Sequence, residues 1–132
     1  MPSIFSRIIA GEIPAYKIAE NEQFLAFLDI HPQVPGHTLV IPKKEIDSLW
    51  DLDEDTLENI LLFARPIAKA LEKAFDCARC GLSVVGLDVP HAHVHLLPIG
   101  SAKDMHLTGG SETAKAMPLE EVQQRILAAL KG

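Results

Sequence analysis

The sequence has little positive charge, only two cysteines, no long apolar run and no internal repeat. Each shortage excludes something. Twelve Lys and Arg against eighteen Asp and Glu leave a net charge of −6, a poor basis for tracking a nucleic-acid backbone, which requires cations to displace counterions. No stretch approaches the roughly 20 apolar residues of a membrane span. Met1 to Ala10 carries only Arg7 as a charge with no long apolar run after it, so no secretory leader is expected. Two cysteines without a leader point to a reducing, cytoplasmic compartment. With no repeat, low-complexity block or linker, the 132 residues are expected to form one domain, 1–132. Their 48% hydrophobic content supplies a core without disulfides or a structural metal.

The hydrophobic pattern predicts an α+β fold. Ile4 to Ala10, stopped by Gly11, is a short helix. Tyr16–Ala19 and Phe24–Leu28 are strands separated by the turn-prone Glu20-Asn21-Glu22, and His37–Ile41 is a β-branched strand ended by Pro42. Two prolines and a glycine make 29–36 a loop. The long helix is the clearest element. Leu57, Ile60, Leu61, Ala64, Ile67, Ala68, Leu71 and Phe75 form one stripe, with acidic residues at its start, a capping box from Asp55 to Glu58, and Pro66 expected to kink it. Gly81–Leu87 and His91–Pro98 are two further strands, and 101–110 is a loop. A C-terminal helix begins at Pro118, with Leu119, Val122, Ile126 and Leu130 on one face. Five strands with no βαβ alternation imply an antiparallel five-stranded sheet with one long helix and short flanking helices.

The chemistry concentrates in Pro90-His91-Ala92-His93-Val94-His95-Leu96-Leu97-Pro98, which holds half of the six histidines. On a strand, alternate side chains share a face, so His91, His93 and His95 are expected to form a row about 6.6 Å apart, with Ala92, Val94 and Leu96 facing the core. Such a row suits nucleophilic catalysis. An imidazole of ordinary pKa near 6.5 is mostly neutral at pH 7 and attacks an electrophile while a neighbour stabilises developing charge. A zinc site is the competing reading, though a third ligand about 13 Å from the first reaches the same ion poorly and no carboxylate or Cys in the segment completes the shell. A surface strand is the plainest alternative.

The pattern His-φ-His-φ-His-φ-φ, with φ hydrophobic, resembles the signature of the histidine triad (HIT) family of nucleotide hydrolases and transferases. The likeness extends to Ile4-Phe5-Ser6-Arg7-Ile8-Ile9-Ala10-Gly11-Glu12-Ile13-Pro14, to Leu25-Ala26-Phe27-Leu28-Asp29-Ile30 and to Pro35-Gly36-His37-Thr38-Leu39-Val40-Ile41-Pro42-Lys43, in the family's order. The length is similar to that of its small branch, typified by adenosine phosphoramidases. The resemblance implies a HIT-like fold. It makes His93 the nucleophile on the α-phosphorus of a purine nucleotide, and His95 the contact to that phosphate. His91 and His37 complete a hydrogen-bonded set behind the nucleophile. Asp29 accepts from the ribose hydroxyls, and Phe5, Ile8, Ile13, Phe27 and Ile30 form the slot for the base. It implies no metal or organic cofactor, a purine nucleotide or nucleoside phosphoramidate as substrate, and a homodimer whose sheets join across a two-fold axis. Two alternatives stay open: a dinucleoside polyphosphate hydrolase of the same family, and a non-catalytic nucleotide-binding regulator.

The sequence departs from the family before the triad. It runs Val84-Val85-Gly86-Leu87-Asp88-Val89-Pro90 into His91, a shorter loop without the family's Asn, Gln and phosphate-contacting Ser, leaving the backbone near Gly86 as the expected phosphate donor. Some family members bind zinc through an N-terminal Cys pair, but residues 1–6 hold no Cys; Cys77 and Cys80 lie elsewhere and are expected to be half-buried thiols. His31, His106, Lys43 and Lys44 are expected to be surface residues, and Trp50 to pack.

Overall fold

A computed structural model describes residues 2–132. Its order is α1 (Ile4–Ile9), β1 (Lys17–Glu20), β2 (Phe24–Leu28), β3 (Thr38–Pro42), α2 (Glu54–Ala74), β4 (Arg79–Ser83), β5 (Val94–Ile99), the single turn α3 (Glu112–Lys115) and α4 (Leu119–Lys131). The five strands form one antiparallel sheet in the order β1-β2-β3-β5-β4. The expected α+β architecture is what the chain adopts.

Period-two alternation sorts the sheet's side chains into two layers. Phe24, Ala26 and Leu28 of β2, Val40 of β3, and Val94 and Leu96 of β5 face α2 and α4, where Ile60, Ala64, Ile67, Leu71, Val122 and Ile126 meet them. On the other face Leu25, Phe27, Leu39 and Ile41 pack against Phe5 and Ile8 of α1. The β1–β2 turn is tied by Asn21, whose side-chain oxygen accepts from the backbone N–H of Gln23 and Phe24 at 2.9 and 2.8 Å.

Helix α2 starts earlier than the expected capping box. Asp53, not Asp55, is the N-cap; it accepts from the Thr56 N–H at 3.2 Å. The Thr56 hydroxyl and Lys44 bond the same carboxylate, and together these hold it down at about 2. The helix runs on through Pro66, which stands on the solvent face, where water can satisfy the carbonyl that the missing N–H leaves. The apolar stripe is narrower than expected: Leu61 is 57% exposed, and Thr56 and Ala70 are buried in its stead. Trp50 does not pack; it is 77% exposed.

The largest correction concerns the last two strands. β4 ends at Ser83 and β5 begins at Val94, so only His95 of the three histidines lies on a strand. His91 and His93 precede it. Pairing between β3 and β5 runs from Thr38↔Leu96 to Val40↔Val94, and beyond it the chain bonds elsewhere: Ala92 N–H donates to the Ile46 carbonyl at 2.7 Å. The three imidazoles are therefore not a row on one sheet face. All three are nonetheless buried.

Candidate active site

The central strands bring the site together by register. Phe27 pairs with Leu39, Leu39 with His95 and His95 with Ser83, so these side chains lie abreast on the sheet face opposite the long helix. Above them α1, the 29–33 loop, the 85–89 loop and residues 107–110 enclose a cleft of about 370 Å³. Gly36 brings the chain into β3 at a φ of +95°, where a Cβ would stand 2.8 Å from the Phe75 ring; no other residue fits that entry to His37.

Hydrogen-bond partners determine where the ring protons sit. The Gln33 N–H donates to His37 Nδ1 at 3.0 Å, so neutral His37 carries its proton on Nε2. That nitrogen donates to His95 Nδ1 at 2.9 Å, which places the His95 proton on Nε2. Burial pushes both rings down to about 4; at His95 the neighbouring His37 and His93 add to it. Both are neutral at pH 7. His93 Nδ1 donates to the His91 carbonyl at 2.8 Å, leaving its Nε2 with the lone pair. Among the described residues no buried side-chain nitrogen or oxygen lacks a partner, so the unpartnered Nε2 atoms of His93 and His95 open to the cleft. The two rings are 5.0 Å apart, and Phe5 meets His93 edge to face at 5.1 Å.

The cleft collects His37, His93, His95, Asp29, Phe5, Ile8, Ile13, Phe27 and Ile30. His91 stays behind it, fully buried, with Nε2 donating to the Pro42 carbonyl at 2.7 Å. The hydrogen bonds of the set fall in two parts: His93 bonds the backbone carbonyl of His91, and His37 bonds His95. Asp29 does two things at once. One oxygen closes a turn by accepting from the His31 N–H at 2.8 Å, and the other lies 3.6 Å from His37 Nε2 in the cleft wall. Burial raises its carboxyl above the usual range.

Several cleft residues were not foreseen. His31, Gln33, Leu107, Gly109 and Gly110 line it, beside Val85 to Val89, the segment around the Gly86 backbone already singled out. The 107–111 segment lies on the 31–33 loop: Thr108 N–H donates to Gln33 Oε1 and Ser111 N–H to the Pro32 carbonyl, each at 2.9 Å. Only the Gly109-Gly110 pair hinted at this. Both take positive φ, and Gly110 lies against the His31 backbone, where a Cβ would come within 3.2 Å. Lys43 and Lys44 stay outside, paired with Glu20 at 2.8 Å and Asp53 at 3.2 Å.

Asp29, His37 and His95 could place three ligand atoms within 4.8 Å of one another, but the proton pattern opposes a metal there. A metal on His37 Nε2 needs the proton on Nδ1, which the Gln33 N–H already addresses. At the N-terminus, Ser3 and Ser6 offer hydroxyls rather than thiolates. Cys77 and Cys80 are half-buried, free and pushed up in pKa by burial and by Glu72, the opposite of what a zinc thiolate requires.

This constellation, on this sheet, has relatives. Residues 10–101 match the HIT domain, and the chain belongs to the HIT family. An uncharacterized HIT-like protein of Borreliella burgdorferi is 38% identical over 102 residues, 72% of this chain and 73% of that one. The adenosine 5'-monophosphoramidase of Saccharomyces cerevisiae is 31% identical over 98% of this chain and 83% of its own. Among solved structures, a HIT-like protein from Bartonella henselae superposes with a TM-score of 0.81 at 36% identity, covering 96% of this chain and 95% of that one. A zinc-bound histidine triad protein from Mycobacterium smegmatis gives 0.82 at 29% identity, covering 97% and 92%. Among the described residues no helix is long and apolar enough to cross a membrane.

Proposed function

We propose that this chain is a cytoplasmic nucleoside phosphoramidase that hydrolyses purine nucleoside phosphoramidates through a covalent nucleotidyl-histidine. The observation that carries it is the proton pattern: His93 Nε2 offers a lone pair to the cleft beside His95 Nε2–H. His93 Nε2 attacks the α-phosphorus, the P–N bond to the amine breaks, and the amine departs with its electron pair and takes up a proton. Water then attacks the same phosphorus, the His93–P bond breaks, and a nucleoside monophosphate leaves. His95 donates to a phosphate oxygen in both steps. Asp29 accepts from the ribose, and Phe5, Ile8, Ile13, Phe27 and Ile30 hold the base.

The charges of the cleft favour this substrate over a dinucleoside polyphosphate. Among the described lining residues there is no Lys or Arg, while Asp29 and Asp88 both line it and His37 and His95 are neutral. A polyphosphate leaving group would bring several negative charges to two carboxylates; a phosphoramidate brings one charge and sheds an amine. The yeast relative's activity is of this kind. A homodimer fits the edge strand β4, beside which Leu82, Val84 and Leu61 leave an exposed apolar surface.

The test is chemical trapping. Labelled adenosine phosphoramidate, rapid quenching without acid and peptide mapping should place the label on His93, and His93→Ala should bind nucleotide but not turn over. Full activity in His93→Ala would remove the mechanism; nucleotide binding with no turnover of any phosphoramidate by the native chain would favour the regulator.

A further inference from the structure

His91 touches no cleft surface, yet it is the most thoroughly held of the histidines, and what holds it is the first turn of the chain. Its Nε2 donates to the Pro42 carbonyl at 2.7 Å, so its Nδ1 is an acceptor, and the Ser3 hydroxyl lies 2.8 Å from it. Ser3 is also the N-cap of α1, its Oγ accepting from the Ser6 N–H at 3.0 Å. The single O–H of Ser3 is therefore committed to the ring, while its oxygen accepts from the helix. Behind it stands Glu45. The Ser3 N–H donates to Glu45 Oε1, and the Ser6 hydroxyl donates to the same oxygen at 2.7 Å. These bonds hold the Glu45 carboxyl below its usual range. A continuous path thus runs from Glu45 through Ser3 to the His91 ring, and from the His91 carbonyl to His93 Nδ1 at 2.8 Å.

We propose that Ser3, anchored by Glu45, is a positioning residue for the nucleophile. By donating to His91 Nδ1 it fixes the ring and the peptide of residue 91, whose carbonyl keeps the proton of His93 on Nδ1 and the lone pair on Nε2. The β5 ladder does not secure this peptide, because β5 begins only at Val94. The Ala92 N–H to the Ile46 carbonyl fixes one side of it and the His91 ring fixes the other. Without the hydroxyl, His91 Nδ1 is a buried acceptor with no strong partner, since Ser6 Oγ is 3.4 Å away and already donates to Glu45.

The inference rests on His93 being the nucleophile, and the experiment separates the two. Ser3→Gly retains most of the helix capping, since Gly is tolerated at an N-cap, but removes the donor. Its kcat on adenosine phosphoramidate should fall about tenfold with KM little changed, as expected for one lost buried hydrogen bond. Nitrogen-detected NMR of the imidazoles should show His93 as the Nδ1–H tautomer in the native chain and as a mixture in Ser3→Gly. Ser3→Thr, which keeps cap and donor, should restore both. Wild-type kcat and an unmixed His93 tautomer in Ser3→Gly would overturn the proposal. The tautomer readout needs no turnover, so it stands even if the native chain hydrolyses no phosphoramidate. If Ser3→Gly fails to fold, Glu45→Gln serves: it weakens the anchor without removing an apolar contact and should move the tautomer and kcat the same way, and no movement would overturn the proposal.

Discussion

Mild acid should weaken this fold by an amount set by His37 and His95. Both rings are buried and held near 4 rather than their ordinary 6.5. Between those values the unfolded chain binds protons that the folded chain does not, so the stabilisation is complete above about pH 6.5 and is lost as the pH falls through that window. For one such group linkage gives about 2 kcal/mol lost at pH 5. The two rings share a hydrogen bond of 2.9 Å and titrate together, so the pair should lose about 2–4 kcal/mol rather than a strict sum. His91, also pushed down by burial, acts with the same sign. Asp29 opposes: its carboxyl is raised by burial, so acid relieves its penalty, and it does so nearer the carboxylate range. Against a typical total of roughly 5–15 kcal/mol the net loss is large. Urea unfolding followed by circular dichroism at pH 8, 7, 6 and 5 should show it as a falling midpoint. His37→Gln removes one titrating group, so it should start less stable at pH 7 but lose about 1 kcal/mol less per pH unit between 6 and 5. Equal midpoints at pH 7 and 5, or an undiminished slope in His37→Gln, would refute the reasoning.

Asp29→Ala should weaken nucleotide affinity about ten- to hundredfold, the equivalent of a charged hydrogen bond, while a phosphate ester without ribose binds as before; equal losses for both would reduce Asp29 to the turn that it closes with His31. Asp88→Lys, on the cleft rim, should raise kcat/KM for a dinucleoside triphosphate about three- to tenfold relative to a phosphoramidate, since a repulsion becomes an attraction. An unchanged ratio would show that Asp88 plays no part in selection. Leu82→Arg, on the edge strand, should leave the fold intact and convert the proposed dimer to a monomer by sedimentation at micromolar concentration; a native chain that already sediments as a monomer defeats the proposal.

The sheet was legible because short apolar runs set off by turn residues are a local signal. Phe24-Leu25-Ala26-Phe27-Leu28 is buried on both faces, and its neighbours continue the pattern, so five strands could be read from short segments alone. The resemblance assigned Phe5, Ile8, Ile13, Phe27 and Ile30 to one slot, and the cleft gathers all five. What escaped was non-local. The end of β5 depends on Ala92 finding the Ile46 carbonyl and His91 finding Pro42, contacts that bridge more than forty residues and leave no periodicity. The Gln33 N–H that sets the His37 tautomer is a backbone group, invisible in any side-chain pattern. Leu61 fits the helical stripe as well as Ile60 does, yet Ile60 is buried and Leu61 is exposed. Trp50 was expected to pack by its size, yet the single 3₁₀ turn that carries it, Leu49–Asp51, presents it to solvent.

The proton pattern constrains the chemistry more tightly than the residue types do. A row of histidines suggests rings that trade protons, but here the Gln33 N–H, His37 and His95 all donate in one direction. Reversing that order would put the His37 proton on Nδ1, facing the Gln33 N–H, and would leave that N–H without an acceptor in a half-buried loop. His95 is thus a fixed donor. A neutral imidazole N–H is a very weak acid, so in the proposed reaction His95 stabilises charge on a phosphate oxygen without surrendering its proton. The departing amine must obtain its proton elsewhere, from solvent or by arriving protonated. Such a leaving group suits a cleft with two carboxylates, Asp29 and Asp88, and no Lys or Arg among its described lining residues. A polyphosphate gains nothing from those carboxylates and finds no cation to replace them. The two cleft carboxylates and the neutral histidine relay therefore favour the same substrate.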